Sequence, residues 1–287
     1  MSEGASGLPI TFLPPASTGE RAGASRLKGR VVLVIGAGQD DRGLPPADDL
    51  IGNGRATSIS AAVEGATVIC ADRAEDRAQA TVDVAQAAVQ RNGSAGSSVA
   101  LQLDGADEQS MADAFAAIAQ HHGRLDAVVA NLGIGGPMWL ANTSADDWDH
   151  VLAVNLRSHM LACKFGLQQM QPGGSIVLVS SIAGIRPGSR IPAYDTSKAA
   201  LGGLMRHAAM EGQRRAIRVN VVAPGLMDTP LGRKATQGRP NRVTANMPLG
   251  RQGTAWEVAN AVIFLISDDS AYITAQTIAV DGGRSVI

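Results

Sequence analysis

From Gly29 onward the chain alternates short β-branched runs with longer Ala-rich stretches that carry apolar residues at a helical period. The runs Val31 to Ile35, Thr67 to Ala71, Ser98 to Leu103, Ala127 to Ala130, Ser175 to Val179, Arg218 to Val222 and Thr277 to Val280 are nearly continuous in apolar residues. A strand covered on both faces has that composition, so they are predicted as parallel strands. Helices are predicted near 53–64, 75–91, 107–121, 145–170, 192–215 and 255–267. This alternation argues for right-handed βαβ units, and the expected fold class is α/β: one doubly wound parallel sheet of about seven strands, with helices on both faces.

Three segments fall outside the rhythm. Residues 1–26, rich in Gly, Ser, Pro and Ala, read as a flexible N-terminal extension, with Pro9 to Pro15 as an apolar patch along it; 27–287 is expected to form one domain. After strand one comes Gly36-Ala37-Gly38, then an insertion, 39–50, in which Pro45 and Pro46 resist a helix. The stretch 226–247 reads as a lid over a cleft.

Composition narrows the partners. With 25 Lys plus Arg against 26 Asp plus Glu, the formal charge is −1, which gives no field to gather nucleic acid or anionic lipid, so a small molecule is the expected partner. No apolar run approaches the ~20 residues that span a bilayer, and no signal peptide is visible; a cytoplasmic location is expected. Cys70 and Cys163 lie in apolar runs and read as small buried hydrophobes.

Candidate chemistry gathers at the carboxyl ends of the predicted strands, where ligands of open α/β sheets bind. Glycines between a first strand and a first helix let the backbone approach a pyrophosphate at the helix start. Two registers are open: Gly36, Gly38 and Gly43 as a compact turn, or Gly36 and Gly38 paired across the insertion with Ile51, Gly52 and Gly54. The second is favoured because it sets glycines at the start of the helix. Asp72, ending strand two, can accept hydrogen bonds from ribose hydroxyls and repels a 2′-phosphate, which favours NAD over NADP; Arg73 beside it argues the other way. Asp104-Gly105 and Asn131-Leu132-Gly133 share the same edge.

The most specific feature is Tyr194-Asp195-Thr196-Ser197-Lys198, in a chain with two tyrosines and four lysines. Positions i and i+4 share a helix face, which sets an ammonium beside a phenol. A tyrosine titrates near ~10; a cation about 4 Å away at an effective dielectric of about 20 contributes roughly 4 kcal/mol, on the order of three pKa units before screening. Ser181 ends strand five and can donate to a substrate oxygen. A Ser-His-Asp hydrolase is the rival use of that serine, but no Gly-x-Ser-x-Gly elbow surrounds it.

Together these residues resemble the classical short-chain dehydrogenase/reductase family, from about Leu27 to Gly283. "VLAVNLRS" with Asn155, "VSSIAG", "RVNVVAPGLMDTP" and "VDGG" add to the likeness. The resemblance implies a single-domain Rossmann-like fold and reversible hydride transfer between NAD(H) and a secondary alcohol or ketone. It implies Tyr194 as general acid/base, Ser181 as the group that polarises the carbonyl, and Lys198 as the residue that holds the nicotinamide ribose. Asn155 would position a water behind Lys198, Asp104 would contact adenine, and Thr229, after Pro224-Gly225, the carboxamide. A homotetramer is the implied assembly. Ile35 stands where the family usually has threonine, and Ala130 where a second asparagine is frequent.

The substrate pocket is expected from Ile134 to Leu140, Ala183 to Pro192 and the lid, with Met138, Trp139 and Leu140 as an apolar wall. Arg186 and Arg190 are candidates to meet an anionic group. The acidic insertion, with Asp40, Asp41, Asp48 and Asp49, is expected to be held outward. Two other functions stay open: a catalytically silent NAD-binding sensor or scaffold, and an extended-type epimerase.

Overall fold

The computed structural model describes residues 23–40, 50–186, 188–237 and 247–286, together with Thr18, Gly43 and Arg239. Most of the N-terminal extension, most of the insertion and the lid positions Gly238 and Pro240 therefore lie outside the described residues.

Strands β1 (Val31–Ile35), β2 (Thr67–Asp72), β3 (Ser97–Gln102), β4 (Ala127–Ala130), β5 (Ser175–Val179), β6 (Arg218–Pro224) and β9 (Thr277–Val280) form one sheet in the order β3-β2-β1-β4-β5-β6-β9. Every pairing is parallel. The order turns back between β1 and β4, and a doubly wound sheet opens a crevice at that switch point. A second, two-stranded sheet joins β7 (Met227–Asp228) to β8 (Gly253–Thr254).

Alternation along the strands divides the core. Leu33, Ile35, Ile69, Ile176 and Leu178 pack on one face with Met111, Phe115, Leu161, Leu201 and Met205. Those partners belong to α3 (Glu108–His122), α5 (Ser158–Gln169) and α6 (Pro192–Gly212). Val32, Val34, Val68, Val129 and Val177 pack on the other face with Ile59, Val82, Val258 and Ile263, from α1 (Asn53–Val63), α2 (Glu75–Asn92) and α8 (Ala255–Ile266). Strands β1, β4, β5 and β6 are buried at every position, whereas the edge strands β3 and β9 are partly open to solvent. Both cysteines are buried, and burial pushes the Cys70 thiol to about 11 and the Cys163 thiol to about 12, which makes them unreactive at neutral pH. No helix among the described residues is long and apolar enough to cross a membrane.

The helix predicted over 145–170 is not continuous. It runs as α4 (Ala145–Leu152), a π-turn over Ala153–Arg157, and α5. The lid begins with β7 and a short helix, α7 (Pro230–Thr236), capped by Thr229, whose hydroxyl accepts from the Gly232 amide at 3.1 Å.

Candidate active site

A cleft of about 1130 Å³ follows the carboxyl edge of the sheet. Its floor begins where β1 gives way to Gly36, at φ +81°. Helix α1 starts so close to this turn that a Cβ at Gly54 would lie 2.0 Å from the Gly36 carbonyl oxygen. The same carbonyl accepts from the Asn131 amide at 3.0 Å, which locks the ends of β1 and β4 together. The insertion is clasped at its base by Gln39: its side chain donates to the Leu50 carbonyl at 3.1 Å and accepts from the Gly52 amide at 2.9 Å. The two halves of the glycine motif thus meet across the excursion, and Gly36, Gly38, Gly52 and Gly54 all line the cleft. Gly43 does not. Helix α1 has neither a side-chain cap nor an acid in its first turn, which leaves its first amides and the positive end of its dipole for an anion.

The Asp72 carboxylate accepts from the Gly38 amide at 3.1 Å and the Ala74 amide at 3.1 Å, and it lines the cleft beside Arg73. Asp40, at the start of the insertion, is exposed at the rim of the cleft, 3.3 Å from the partly exposed guanidinium of Arg77 in α2. Asp104, Gly105, Asn131 and Gly133 continue the lining, and Pro224, Gly225 and Thr229 close it from β6. Ile51, expected at the phosphate turn, turns its side chain away from the cleft. It is absent from the lining because its side chain packs with Ala56, Ala255, Ala259 and Trp256.

Ser181, Tyr194 and Lys198 share the opposite wall of the same cleft. Two contacts fix the loop after β5 against α6. The Ser180 hydroxyl donates to the Lys198 carbonyl at 2.8 Å, and Gly184 approaches so closely that a Cβ there would stand 2.6 Å from that carbonyl. Ser181 itself accepts from the Ala183 amide at 3.2 Å, which leaves its proton free to donate outward. Lys198 is buried. Its ammonium donates to the Leu132 and Val179 carbonyls, each at 3.0 Å, and lies 5.9 Å from the centre of the Tyr194 ring. Burial pushes it down to about 7, against the pull of those two carbonyls.

Asn155 is buried behind this wall and does not reach the cleft. It sits in the π-turn, where its amide donates to the Ile134 carbonyl at 2.9 Å and the Ser197 hydroxyl at 3.1 Å and accepts from the Ile134 N–H at 2.8 Å. Both donors are therefore committed to the protein. His159, one turn on, is fully buried beside Lys198; burial first, then the lysine charge, hold its imidazole neutral.

At the outer end, Met138, Trp139 and Leu140 are exposed and do not line the cleft as expected; Arg190 instead rests its guanidinium 5.4 Å from the Trp139 ring centre. The lining there comes from Ile134, Gly135, His150, Ile191, Leu226 and Leu231 with Arg186, Arg190, Arg239 and Arg284. Gln39, Arg77 and Arg239 carried no motif that would have singled them out. Only their placement beside the cleft does so.

A family model described as Enoyl-(Acyl carrier protein) reductase matches residues 51–285. The chain is 35% identical over 260 residues to the 3-oxoacyl-[acyl-carrier-protein] reductase FabG of Thermotoga maritima, covering 90% of this chain and 98% of that one. It is 34% identical to the human (3R)-3-hydroxyacyl-CoA dehydrogenase, over 90% of this chain and 97% of the other. The fold superimposes on the crystal structure of a short-chain dehydrogenase/reductase from Burkholderia xenovorans with a TM-score of 0.82 at 34% identity, over 91% and 98% of the two chains. Fold, motif order and relatives agree: the chain belongs to the classical short-chain dehydrogenase/reductase family of oxidoreductases.

Proposed function

We propose that this protein is an NAD(H)-dependent alcohol dehydrogenase or ketoreductase that interconverts a secondary alcohol and its ketone. The observation that carries this reading is the shared cleft. Ser181, Tyr194 and Lys198 stand on one wall, and the glycine turn with Asp72 stands at the other end.

The residues present fit a dinucleotide. The cleft exceeds the ~300–1,000 Å³ of a drug-sized site, and Gly36, Gly38, Gly52 and Gly54 bring backbone rather than side chains to the uncapped start of α1, which suits a pyrophosphate. Asp72 would hold the adenosine ribose hydroxyls, Asp104 and Gly105 the adenine, and Asn131, Gly133, Lys198, Pro224, Gly225 and Thr229 the nicotinamide half. When bound, the nicotinamide gives or accepts the hydride.

The chain's own residues manage the proton. In oxidation the Tyr194 phenolate takes the hydroxyl proton, and in reduction the phenol returns it. Ser181 donates to the substrate oxygen and keeps it within reach of the phenol. Lys198, fixed by two carbonyls, favours the phenolate while it carries its proton, and burial, which pushes it down to about 7, confines the full charge to pH values below that. Asn155 serves this wall from behind, by holding Ile134 and Ser197 in place.

A panel of ketones and alcohols assayed with both cofactors tests the reading. Turnover is expected with at least one ketone, at a higher kcat/KM with NADH than with NADPH, and Asp72→Ala should narrow that preference at least tenfold. Absence of turnover with every substrate would favour a silent nucleotide-binding protein. By the same family logic the assembly is a cytoplasmic homotetramer, and light scattering at micromolar concentration checks its size.

A further inference from the structure

The substrate end of the cleft carries one sign of charge. The carboxylates on the lining are Asp40, Asp72 and Asp104, and all three follow β1, β2 or β3. Arg186, Arg190, Arg239 and Arg284 line the other half. They come from three separate segments: the loop between β5 and α6, the stretch after α7 and the turn after β9.

The segments are stitched together by the arginines themselves. Arg186 donates to the Arg284 carbonyl at 2.9 Å, and Arg239 donates to the Ser189 carbonyl at 3.1 Å and touches the Met138 sulfur. Among the described residues, Arg186, Arg190 and Arg239 enter no ion pair with a carboxylate. A guanidinium offers five N–H donors; Arg186 spends one and Arg239 two. Like charges gathered at one mouth repel each other unless a counter-charge joins them, and planar guanidinium forks match an oxyanion better than any neutral group.

We propose that the substrate carries an oxyanion, either a carboxylate or a phosphate monoester, which Arg186 and Arg239 bind while Arg190 adds to the local field. Its carbinol or carbonyl carbon lies at Ser181 and Tyr194. This rests on the redox reading above and adds the class of molecule to it.

The test compares kcat/KM, with the better of NADH and NADPH, for ketones of one carbon skeleton ending in a carboxylate, a phosphate monoester or a methyl ester. The wild type should prefer an anionic ketone over its ester by tenfold or more, and the preference should shrink as salt is raised. In Arg186→Gln/Arg239→Gln the anion-to-ester ratio should fall at least tenfold, mainly through KM. The arm with the larger fall separates carboxylate from phosphate as the source. A wild-type ratio near one, or a ratio unchanged in the double variant, overturns the proposal and leaves the redox reading standing. Failure of every ketone and every matching alcohol to turn over overturns both.

Discussion

Asn155 and Ile134 hold each other by two hydrogen bonds, N–H to side-chain oxygen at 2.8 Å and side-chain amide to carbonyl at 2.9 Å. The pair joins the π-turn between α4 and α5 to the loop after β4, and the second amide proton reaches Ser197, in the helix that carries Tyr194 and Lys198. A π-turn is a rare break in a helix, found mostly where a side chain must be placed for function. Here it places a buried amide between three elements.

Asn155→Ala strands the N–H and carbonyl of Ile134. A loss of about 1–3 kcal/mol in chemical denaturation is expected, since buried polar groups left without partners cost that much. Activity should fall through kcat more than through cofactor affinity, because the altered wall is the one that carries the proton chemistry. Equal stability and unchanged kcat would show the amide to be dispensable.

Gly54→Ala tests the start of α1. A Cβ there would fall 2.0 Å from the Gly36 carbonyl, a contact relieved only by moving the helix off the turn. The dinucleotide should lose affinity by at least tenfold in a fluorescence titration. Gly43→Ala, strained at φ +72° but with nothing within 4 Å of the added carbon and outside the cleft lining, should cost stability and leave affinity nearly unchanged. Equal effects at both positions would mean that the turn and the helix are not coupled as described.

The pH dependence of stability follows from the two buried bases. Lysine in an unfolded chain titrates near ~10.4, and burial lowers Lys198 to about 7. Between those values the unfolded chain binds the extra proton, so stability should rise with pH from about 7 toward 10, with the penalty complete below 7. Lys198→Met should lack this rise: the wild type should gain on it by at least ~1.4 kcal/mol, the worth of one pKa unit, between pH 7.5 and 9.5. His159 acts in the acid range. Its folded pKa lies below the ordinary value near ~6.5, so stability should fall as pH drops below that value, and His159→Gln should flatten the acid limb. Parallel profiles in wild type and variants would contradict the burial argument.

Much of this architecture was legible in the sequence because the central strands are covered on both faces and so are nearly continuous in apolar residues. The bounds predicted for β1, β4 and β5 coincide with those observed. The order of the strand ends then set the glycines, Asp72, Ser181 and Tyr194 along one cleft. What escaped depends on tertiary fit. The π-turn leaves no mark in the helical period of 145–170; it coincides with the tertiary hydrogen bonds of Asn155 to Ile134, which local sequence does not encode. Ile51 looked like part of the phosphate turn but answers to the packing of Trp256 and Ala259. Met138 to Leu140 had the composition of a pocket wall and lie exposed, since apolarity alone does not say which way a loop faces.

The central claim is that Tyr194 exchanges the proton of the substrate's hydroxyl or carbonyl oxygen, on a wall that the cofactor can reach without it. Tyr194→Phe, assayed for turnover of the best ketone and for NADH binding by fluorescence, tests this most directly. The account predicts a loss of turnover of at least 10²-fold, the scale of one lost general acid, with the NADH dissociation constant within about threefold of wild type. A variant that turns over at the wild-type rate would contradict it.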